Sequence, residues 1–215
     1  MAANILNADY AEFMADLNAA MEGDPYLHLL IDKTHPLKPE TYTPPDLVPL
    51  ESGRAYTVGR AGLKLRRAAC AALQTMAAAA GADGVNLLAS STYRSFEYQA
   101  EVYNRNVREN GQETADRESA RPGYSQHQSG LVVDFGSITD EYAQTAAGRW
   151  ITANAPRFGW IISFPDGYEE ITGYRWECWH YRYMGQPLAD FIQKWTNGIQ
   201  QYGLQFIHVW EHGSL

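Results

Sequence analysis

The chain has 215 residues, of which 45% are hydrophobic and 20% are charged, and its formal net charge is −8. A chain of this length suits one domain and buries roughly 70% of its unfolded surface, so it needs no disulfides to hold a core. The acidic balance argues against nucleic acid as a partner, because such binding calls for a basic face. Two cysteines do not make a disulfide framework, and no apolar run is long enough for a transmembrane helix.

The first residues, Met-Ala-Ala-Asn, show neither the basic region nor the apolar region of a signal peptide. Two localisations therefore stay open at this point. The protein is cytoplasmic, or the sequence is the trimmed mature form of a cell-envelope protein, either periplasmic or extracellular.

The N-terminal part of the chain is predicted to be a helix followed by an extended arm. Apolar residues at helical spacing predict a helix over residues 8–22, ending near Gly23. Residues 24–58 hold six of the ten prolines and show little periodicity, yet they are too apolar for a solvated linker. We therefore divide the chain into a helix and proline-rich arm, residues 1–58, packed on a main domain, residues 59–215.

Helices and strands are interspersed after the arm. Apolar periodicity, capping residues and glycine stops predict helices over residues 60–80, 95–110, 141–158 and 187–202, with a short helix and a loop over 112–123. Apolar and β-branched runs predict strands over residues 85–90, 131–135, 160–164 and 174–184. The last two strands flank a turn at Pro165-Asp166-Gly167, so they can pair as a hairpin. We therefore expect an α+β fold with a mostly antiparallel sheet flanked by helices.

Two short segments about fifty residues apart carry the residue types of a catalytic metal site. The first, Ser-Gln-His-Gln-Ser-Gly-Leu-Val-Val-Asp, supplies His127 and Asp134, and the second, Glu-Cys-Trp-His, supplies Glu177 and His180. Two imidazoles and one carboxylate with an open fourth position match a catalytic zinc site. The remaining carboxylate, Glu177, is then free to act as a general base. If the two segments meet in space, the chain is a metallohydrolase.

The local sequence allows these side chains to meet. On one continuous strand, a separation of seven puts His127 and Asp134 on opposite faces. Gly130 permits a tight turn, so His127 can precede the strand and fold back beside Asp134. Glu177 and His180 would share a face on a helix, but their aromatic neighbours favour a strand. Glu177 is therefore expected at a strand end or bulge, with His180 farther along.

A third segment places Arg94 between a buried strand and a helix, where ligand contacts are common. A guanidinium suits a carboxylate through two parallel hydrogen bonds, and Gln99 can add an amide contact. Taken alone, an arginine that caps and solvates a loop is the simpler interpretation. Cys178 lies between the expected base and a ligand, but three ligands are already present, so a thiolate ligand is not expected.

Together the three segments resemble the VanY-type D-alanyl-D-alanine carboxypeptidases, part of a wider group of zinc peptidases with lysostaphin-type enzymes and the hedgehog signalling domain. The patterns Ser-x-His-x-x-Gly-x-x-x-Asp and Glu-x-Trp-His, after a Tyr-Arg-Ser strand end, stand here in the expected order. Parts of the arm also look like that family's opening, so the resemblance spans roughly residues 27–195. One departure is Cys178, because such sequences usually carry the stiffer proline there.

The resemblance implies a fold like that of hedgehog domains and D-Ala-D-Ala peptidases, with residues 59–215 as the zinc peptidase domain. It implies one zinc ion per chain, bound by His127, Asp134 and His180, with Glu177 as the general base. The implied reaction is hydrolysis of peptidoglycan stem peptides with release of the C-terminal D-alanine, which is a D,D-carboxypeptidase activity.

By the same resemblance, Arg94 contacts the substrate's terminal carboxylate or the developing oxyanion, and Gln99 and Ser125 help to hold the peptide. Alternatives stay open: an L,D-carboxypeptidase, an endopeptidase of stem peptides, a dipeptidase acting on free D-alanyl-D-alanine, or a non-catalytic zinc-stabilised binding module. Glu177 argues against the binding module, because a structural site has no use for an unliganded base. A monomer is favoured as the oligomeric state.

Overall fold

The computed structural model describes residues 10–51 and 55–214. Its α-helices, in chain order, are α1 Tyr10–Met21, α2 Pro25–His28, α3 Arg67–Ala82, α4 Phe96–Asn110, α5 Gln112–Glu118, α6 Ala146–Asn154, α7 Glu169–Thr172, α8 Gln186–Trp195 and α9 Gln200–His212. Its strands are β1 Leu47–Pro49, β2 Thr57–Val58, β3 Lys64–Arg66, β4 Leu88–Ser91, β5 Val132–Phe135, β6 Trp160–Ile162 and β7 His180–Tyr183. Short 3₁₀ helices cover Gln126–Ser129, Asp140–Gln144 and Ala155–Phe158.

The main sheet contains five strands in the order β2-β4-β5-β7-β6 within the described part of the chain. Every neighbouring pair is antiparallel except β2 with β4, which is parallel. The expected α+β fold with a mostly antiparallel sheet is therefore confirmed. The central strand β5 lies between β4 and β7, and Asp134 is paired with Ser91 on one side and His180 on the other.

Two hydrophobic clusters stabilise this arrangement. The larger one joins α3 to the sheet, and its fully buried members include Leu73, Met76, Val133, Phe135 and Trp160. The smaller one joins α1 to the two C-terminal helices, with the Phe13 ring 5.0 Å from the Trp195 ring in an edge contact. The predicted N-terminal helix is thus present from Tyr10 onward, and residues 8 and 9 lie outside the described residues.

A buried arginine of the sheet holds the arm that follows α1. Arg182 of β7 is fully buried, and its Nη2 donates to the backbone carbonyls of Tyr26 at 3.0 Å, Leu27 at 3.3 Å and Leu29 at 2.8 Å. Burial lowers the pKa of Arg182 to about 10, which still leaves the side chain charged at neutral pH. The predicted boundary between arm and main domain at residue 58 stays a prediction.

Two helix predictions extend too far along the chain. In the segment 60–80, residues Lys64–Arg66 form β3 instead and pair with β1, and the preceding Gly62 has a left-handed φ of 81° that interrupts a helix. In the segment 187–202, Asn197 and Gly198 have φ values of 54° and 78°, so the chain breaks into α8 and α9.

The strand prediction for 174–184 holds only for its last part. β7 begins at His180, and its pairing with β6 confirms the predicted hairpin. Before it, Glu177 N donates to the Phe164 carbonyl at 3.0 Å and His180 N donates to the Glu177 carbonyl at 3.2 Å, which closes a turn. The expectation that Glu177 sits at a strand end, with His180 farther along, agrees with this turn. The predicted helix over 141–158 is divided between α6 and the two flanking 3₁₀ helices.

Candidate metal and catalytic site

A tight turn before β5 positions His127. The residue lies in the 3₁₀ helix Gln126–Ser129, which begins with Ser125 Oγ accepting a hydrogen bond from His127 N at 3.3 Å. The helix ends at Gly130, whose φ is 70° and where an added Cβ would come within 2.9 Å of neighbouring side chains. The turn that the sequence predicts at Gly130 is therefore present, and it returns His127 to the side of Asp134.

Three side chains converge at the middle of the sheet. His127, Asp134 and His180 are all buried, and each offers one ligand atom within 4.8 Å of the other two. His127 Nε2 lies 3.1 Å from Asp134 Oδ2, and His180 Nδ1 lies 3.2 Å from Asp134 Oδ1. In residues 10–51 and 55–214 no other group of three such side chains meets the same condition. We call these three residues the metal-site trio.

In each histidine of the trio, one ring nitrogen contacts an acceptor outside the trio, and the other ring nitrogen faces its centre. His127 Nδ1 lies 2.7 Å from the Thr92 carbonyl oxygen, so it must donate, and Nε2 is left as the inner atom. His180 Nε2 lies 3.3 Å from Gln126 Oε1, which leaves Nδ1 as the inner atom. Asp134 Oδ1 is buried, makes no hydrogen bond and lies 3.2 Å from His180 Nδ1. Two inward nitrogens and a free carboxylate oxygen fit a zinc ion.

The electrostatics of the trio favour positive charge on His180 but not on His127. Burial, followed by the charge of Arg94, lowers the pKa of His127 to about 4. Burial also opposes charge on His180, but Asp134 and Glu177 outweigh it and raise the pKa of His180 to about 9. The pKa of Asp134 is well below its usual range in spite of its burial, because His127 and His180 stabilise the carboxylate. Asp134 is thus ionised beside a protonated His180, and a divalent cation can replace the proton of His180.

Glu177 supplies a fourth ionisable group, which contacts the trio without belonging to it. Its side chain is almost buried, and Oε2 lies 3.2 Å from His180 Nδ1. Burial raises the pKa of Glu177, although His180 acts in the opposite direction. The residue lines a cavity of about 50 Å³ together with Arg94, Ser125, His127 and others, which we call the catalytic cavity. A buried carboxyl with a raised pKa is suited to proton transfer near neutral pH.

Arg94 lies directly against the trio, in the loop between β4 and α4. Its Nη2 lies 2.8 Å from His127 Nε2 and 3.1 Å from Asp134 Oδ2, and its Nη1 donates to Gln99 Oε1 at 3.0 Å. Ser125 lines the catalytic cavity, but Gln99 is fully buried and does not line it. The role of Gln99 in holding a peptide stays a prediction, and its contact here is with the arginine.

Cys178 points away from the metal-site trio. Its Sγ lies 3.5 Å from the Thr139 carbonyl oxygen and 3.8 Å from the Asp140 carbonyl oxygen, and the side chain belongs to the larger hydrophobic cluster. Burial raises the pKa of the thiol, which disfavours the thiolate. The structure therefore agrees with the expectation that Cys178 is not a ligand.

Sequence reasoning missed two kinds of residue around the site. Gln126 stands inside the first motif, so its position was visible, but its contact with His180 spans 54 residues and carries no local pattern. Phe164 and Tyr174 form an aromatic wall of the catalytic cavity, with the Phe164 ring 4.7 Å from the His180 ring and 4.8 Å from the Tyr174 ring. Aromatic side chains are so common in this chain that composition did not single them out.

No helix in the described part of the chain has the length and apolar character needed to cross a membrane.

Known proteins resemble this chain in both architecture and sequence. The chain is 35% identical over 179 residues to the protein named "Putative carboxypeptidase YodJ" of Bacillus subtilis (strain 168), a match that covers 80% of this chain and 65% of that protein. The chain therefore spans somewhat less than two thirds of that relative's length.

Two solved structures have a similar fold. The LdcB LD-carboxypeptidase matches with a TM-score of 0.72 and 33% identity, over 80% of this chain and 83% of that one. A mutant of the D,D-pentapeptidase VanY from a VanB-type resistance cassette, in complex with Zn(II), matches with a TM-score of 0.68 and 29% identity, over 83% and 98% of the two chains.

The family model described as VanY, D-alanyl-D-alanine carboxypeptidase, matches residues 62–186, which is more than half of the chain. The match includes every residue of the metal-site trio, as well as Arg94 and Glu177. The resemblance inferred from the motifs is confirmed: this chain belongs to the VanY family of D-alanyl-D-alanine carboxypeptidases.

Proposed function

We propose that this protein is a zinc-dependent D,D-carboxypeptidase that removes the C-terminal D-alanine from peptidoglycan stem peptides. The observation that carries the proposal is the buried trio of His127, Asp134 and His180 beside a separate buried carboxyl, Glu177. The trio supplies three ligands and leaves a coordination position open, as catalytic zinc sites require. Membership of the VanY family and the Zn(II) complex of a structural relative support this assignment.

The side chains around the trio have distinct roles in this reaction. When bound, one zinc ion per chain supplies a Lewis acid that activates water and polarises the scissile carbonyl. Glu177 accepts a proton from the attacking water and returns it to the nitrogen of the departing D-alanine. Its raised pKa suits both steps, because the group must take up a proton and then release it.

Arg94 stabilises negative charge on the substrate, either the terminal carboxylate or the oxyanion that forms at the scissile carbonyl. The inner nitrogen of His127 has one lone pair, which now faces Arg94 Nη2 at 2.8 Å. Because that lone pair cannot serve two partners, metal binding at His127 requires Arg94 to release it. The guanidinium then has a free donor in the catalytic cavity, and Gln99 still holds its Nη1.

The catalytic cavity has a volume of about 50 Å³, which suits a small side chain such as the methyl group of D-alanine. Ser125 lines it, and we assign to this hydroxyl a contact with the peptide. We place the protein in the cell envelope, where such peptides occur, and we propose that it acts as a monomer with the arm, residues 1–58, packed on a catalytic domain, residues 59–215.

A second candidate activity is that of an L,D-carboxypeptidase acting on tetrapeptide stems. The observation in its favour is the similarity to the LdcB LD-carboxypeptidase. Both activities use the same metal chemistry, and they differ in the stereochemistry of the residue before the scissile bond.

The two activities are separated by incubating zinc-loaded protein with an equimolar mixture of pentapeptide and tetrapeptide stems and following both by mass spectrometry. Loss of one alanine from the pentapeptide is expected, and loss from the tetrapeptide instead would identify the second candidate. A chelated sample and the Glu177→Gln variant serve as controls. If neither stem is shortened by the zinc-loaded protein, the carboxypeptidase proposal is wrong.

A further inference from the structure

A larger cavity of about 400 Å³ opens beside the catalytic cavity. Its lining consists of Lys33, Asp116, Ser119, Arg121, Tyr124 and Tyr174. Ser119, Tyr124 and Tyr174 also line the catalytic cavity, so the two spaces share a wall. A peptide whose C-terminal end lies at the metal-site trio can therefore continue into the larger space, which we call the Lys33 cavity.

The ammonium group of Lys33 is held in a defined place. Its carbon chain packs over Gly173, where an added Cβ would lie 3.0 Å from Lys33 Cδ. Its Nζ lies 4.7 Å from the centre of the Tyr174 ring, which is a cation–π contact. Tyr174 is itself buried and packs on Phe164 in the wall of the catalytic cavity. The positive charge is therefore positioned by the same aromatic wall that borders the catalytic cavity.

This ammonium has no carboxylate partner within 4.0 Å among residues 10–51 and 55–214, whereas the arginines around it are paired. The acidic groups whose charge reaches Lys33 are Asp116 and Glu169. Asp116 accepts two hydrogen bonds of 3.1 Å from Arg121, and Glu169 accepts two from Arg117, of which the one from Nη2 measures 2.6 Å. The nearby negative charges are thus already engaged, and Lys33 is available for an anionic group brought by a ligand.

We infer that Lys33 and the Lys33 cavity bind a second carboxylate of the peptide substrate, one that belongs to a residue preceding the terminal pair. This inference rests on the proposed function, which places the peptide's C-terminal end at the metal-site trio and its terminal carboxylate or oxyanion at Arg94. A positioned, unpaired ammonium forms a charge-assisted hydrogen bond with a carboxylate. The hydroxyls of Ser119 and Tyr124 in the same cavity are suited to accompany it.

Matched peptides test which carboxylate is bound. The first pair carries glutamate or glutamine immediately before D-alanyl-D-alanine, and the second pair carries them one residue farther upstream, with alanine between. Within each pair only one carboxylate is replaced by an amide, so the shape of the peptide is kept. Dissociation constants are measured by calorimetry on zinc-loaded Glu177→Gln protein, in which the peptide stays intact, and kcat/KM is measured on the protein that keeps Glu177.

The variants change the charge and keep the packing. Lys33→Met retains a long chain over Gly173 and Tyr174 but removes the ammonium, and Lys33→Glu reverses the charge. Lys38→Met is the control, because Lys38, like Lys33, is an exposed lysine of the arm but lines a different cavity. Melting temperatures of the variants verify that each one is folded.

In one of the two pairs we expect the glutamate peptide to bind about fivefold more tightly than the glutamine peptide, as for a partly exposed ion pair. This preference should disappear in Lys33→Met, reverse in Lys33→Glu and persist in Lys38→Met. A preference that survives in Lys33→Met, or the absence of a preference in both pairs, overturns the inference.

The two readouts separate this inference from the proposed function. Charge discrimination in binding without release of D-alanine would refute the carboxypeptidase and leave the carboxylate site standing. Release of D-alanine without charge discrimination would support the carboxypeptidase and refute the carboxylate site.

Discussion

The side-chain oxygen of Gln126 lies 3.3 Å from Nε2 of His180, the ring nitrogen that faces away from the metal-site trio. Ser163 Oγ donates to the same oxygen at 2.7 Å, and Gln126 Nε2 donates to the Ile31 carbonyl at 3.4 Å, so all three contacts agree on one orientation of the amide. Because the amide oxygen only accepts, it requires a proton on His180 Nε2 and leaves Nδ1 directed at Asp134.

Replacing Gln126 by Leu should therefore weaken zinc binding by about 10- to 100-fold, the usual effect of removing an outer partner of a metal-bound histidine. The dissociation constant is obtained by competition with a chromophoric chelator. Ser163→Ala is the matched control, because it removes the other donor to the same oxygen but leaves the contact with His180, and it should change the constant far less. Unaltered affinity in Gln126→Leu would contradict the role assigned to the amide.

Glu177→Gln should separate metal binding from catalysis. The amide keeps the size of the side chain but cannot accept the proton from water, so we expect kcat to fall by about 10²- to 10⁴-fold while the zinc content stays at one per chain. His180→Ala should instead lose zinc, and His208→Ala, outside the trio, should lose neither zinc nor activity. Zinc content by mass spectrometry and release of D-alanine provide the two measurements. Substantial turnover by Glu177→Gln would remove Glu177 as the base.

Arg94→Ala should lower kcat/KM by about 10²- to 10³-fold, since one donor to developing negative charge is lost. Its zinc affinity should not fall, because Arg94 now occupies the lone pair of His127 that a metal needs. Arg60→Ala is a suitable control, as this exposed arginine lies outside the catalytic cavity and donates to Tyr98 Oη of α4. Unchanged catalytic efficiency in Arg94→Ala would exclude Arg94 from the site.

Asp32 predicts a pH-dependent contribution to stability. Burial raises its pKa, but hydrogen bonds from Thr34, His35 and Gln201 outweigh burial and hold the pKa below the ordinary 3.8. A lowered folded-state pKa means that the stabilisation is complete above about pH 3.8 and is lost as the pH falls through the folded-state value.

Asp32→Asn should therefore reduce the free energy of unfolding by about 1–3 kcal/mol at pH 7. The difference from the unaltered protein should shrink at pH 3, which lies below the ordinary value of 3.8, because the carboxylate of the unfolded chain is by then largely protonated. Urea denaturation at the two pH values measures both differences. Equal differences at pH 7 and pH 3 would show that ionisation of Asp32 does not contribute.

The sequence could predict the metal-site trio because each half of it is encoded locally. Gly130 and the short apolar run before Asp134 specify the turn and the strand. In the second motif, a strand end between Glu177 and His180 is enough to bring these two side chains together. What the sequence could not show is that β5 and β7 are neighbours, a pairing that depends on the whole sheet. Gln126 illustrates the same limit, because its contact with the Ile31 carbonyl spans 95 residues.

The errors in the predicted elements have two origins. In Lys64–Arg66, local helix propensity is overridden by pairing with β1, which buries Leu65 completely. The break between α8 and α9 depends on two consecutive left-handed residues, of which only Gly198 carries a clear sequence signal. The first error therefore comes from a contact with another strand, and the second from a local turn at Asn197 and Gly198.

Arg182 stands two residues after His180 on β7 and holds the backbone carbonyls of the arm, while Ile31 of that arm lines the catalytic cavity. A shortened protein that began after residue 58 would therefore lack one wall of its reaction chamber. It would also lack the three backbone carbonyls that accept hydrogen bonds from Arg182 Nη2. The proposed hydrolysis therefore depends on packing of the arm, near the start of the chain, against the surroundings of β7, near its end.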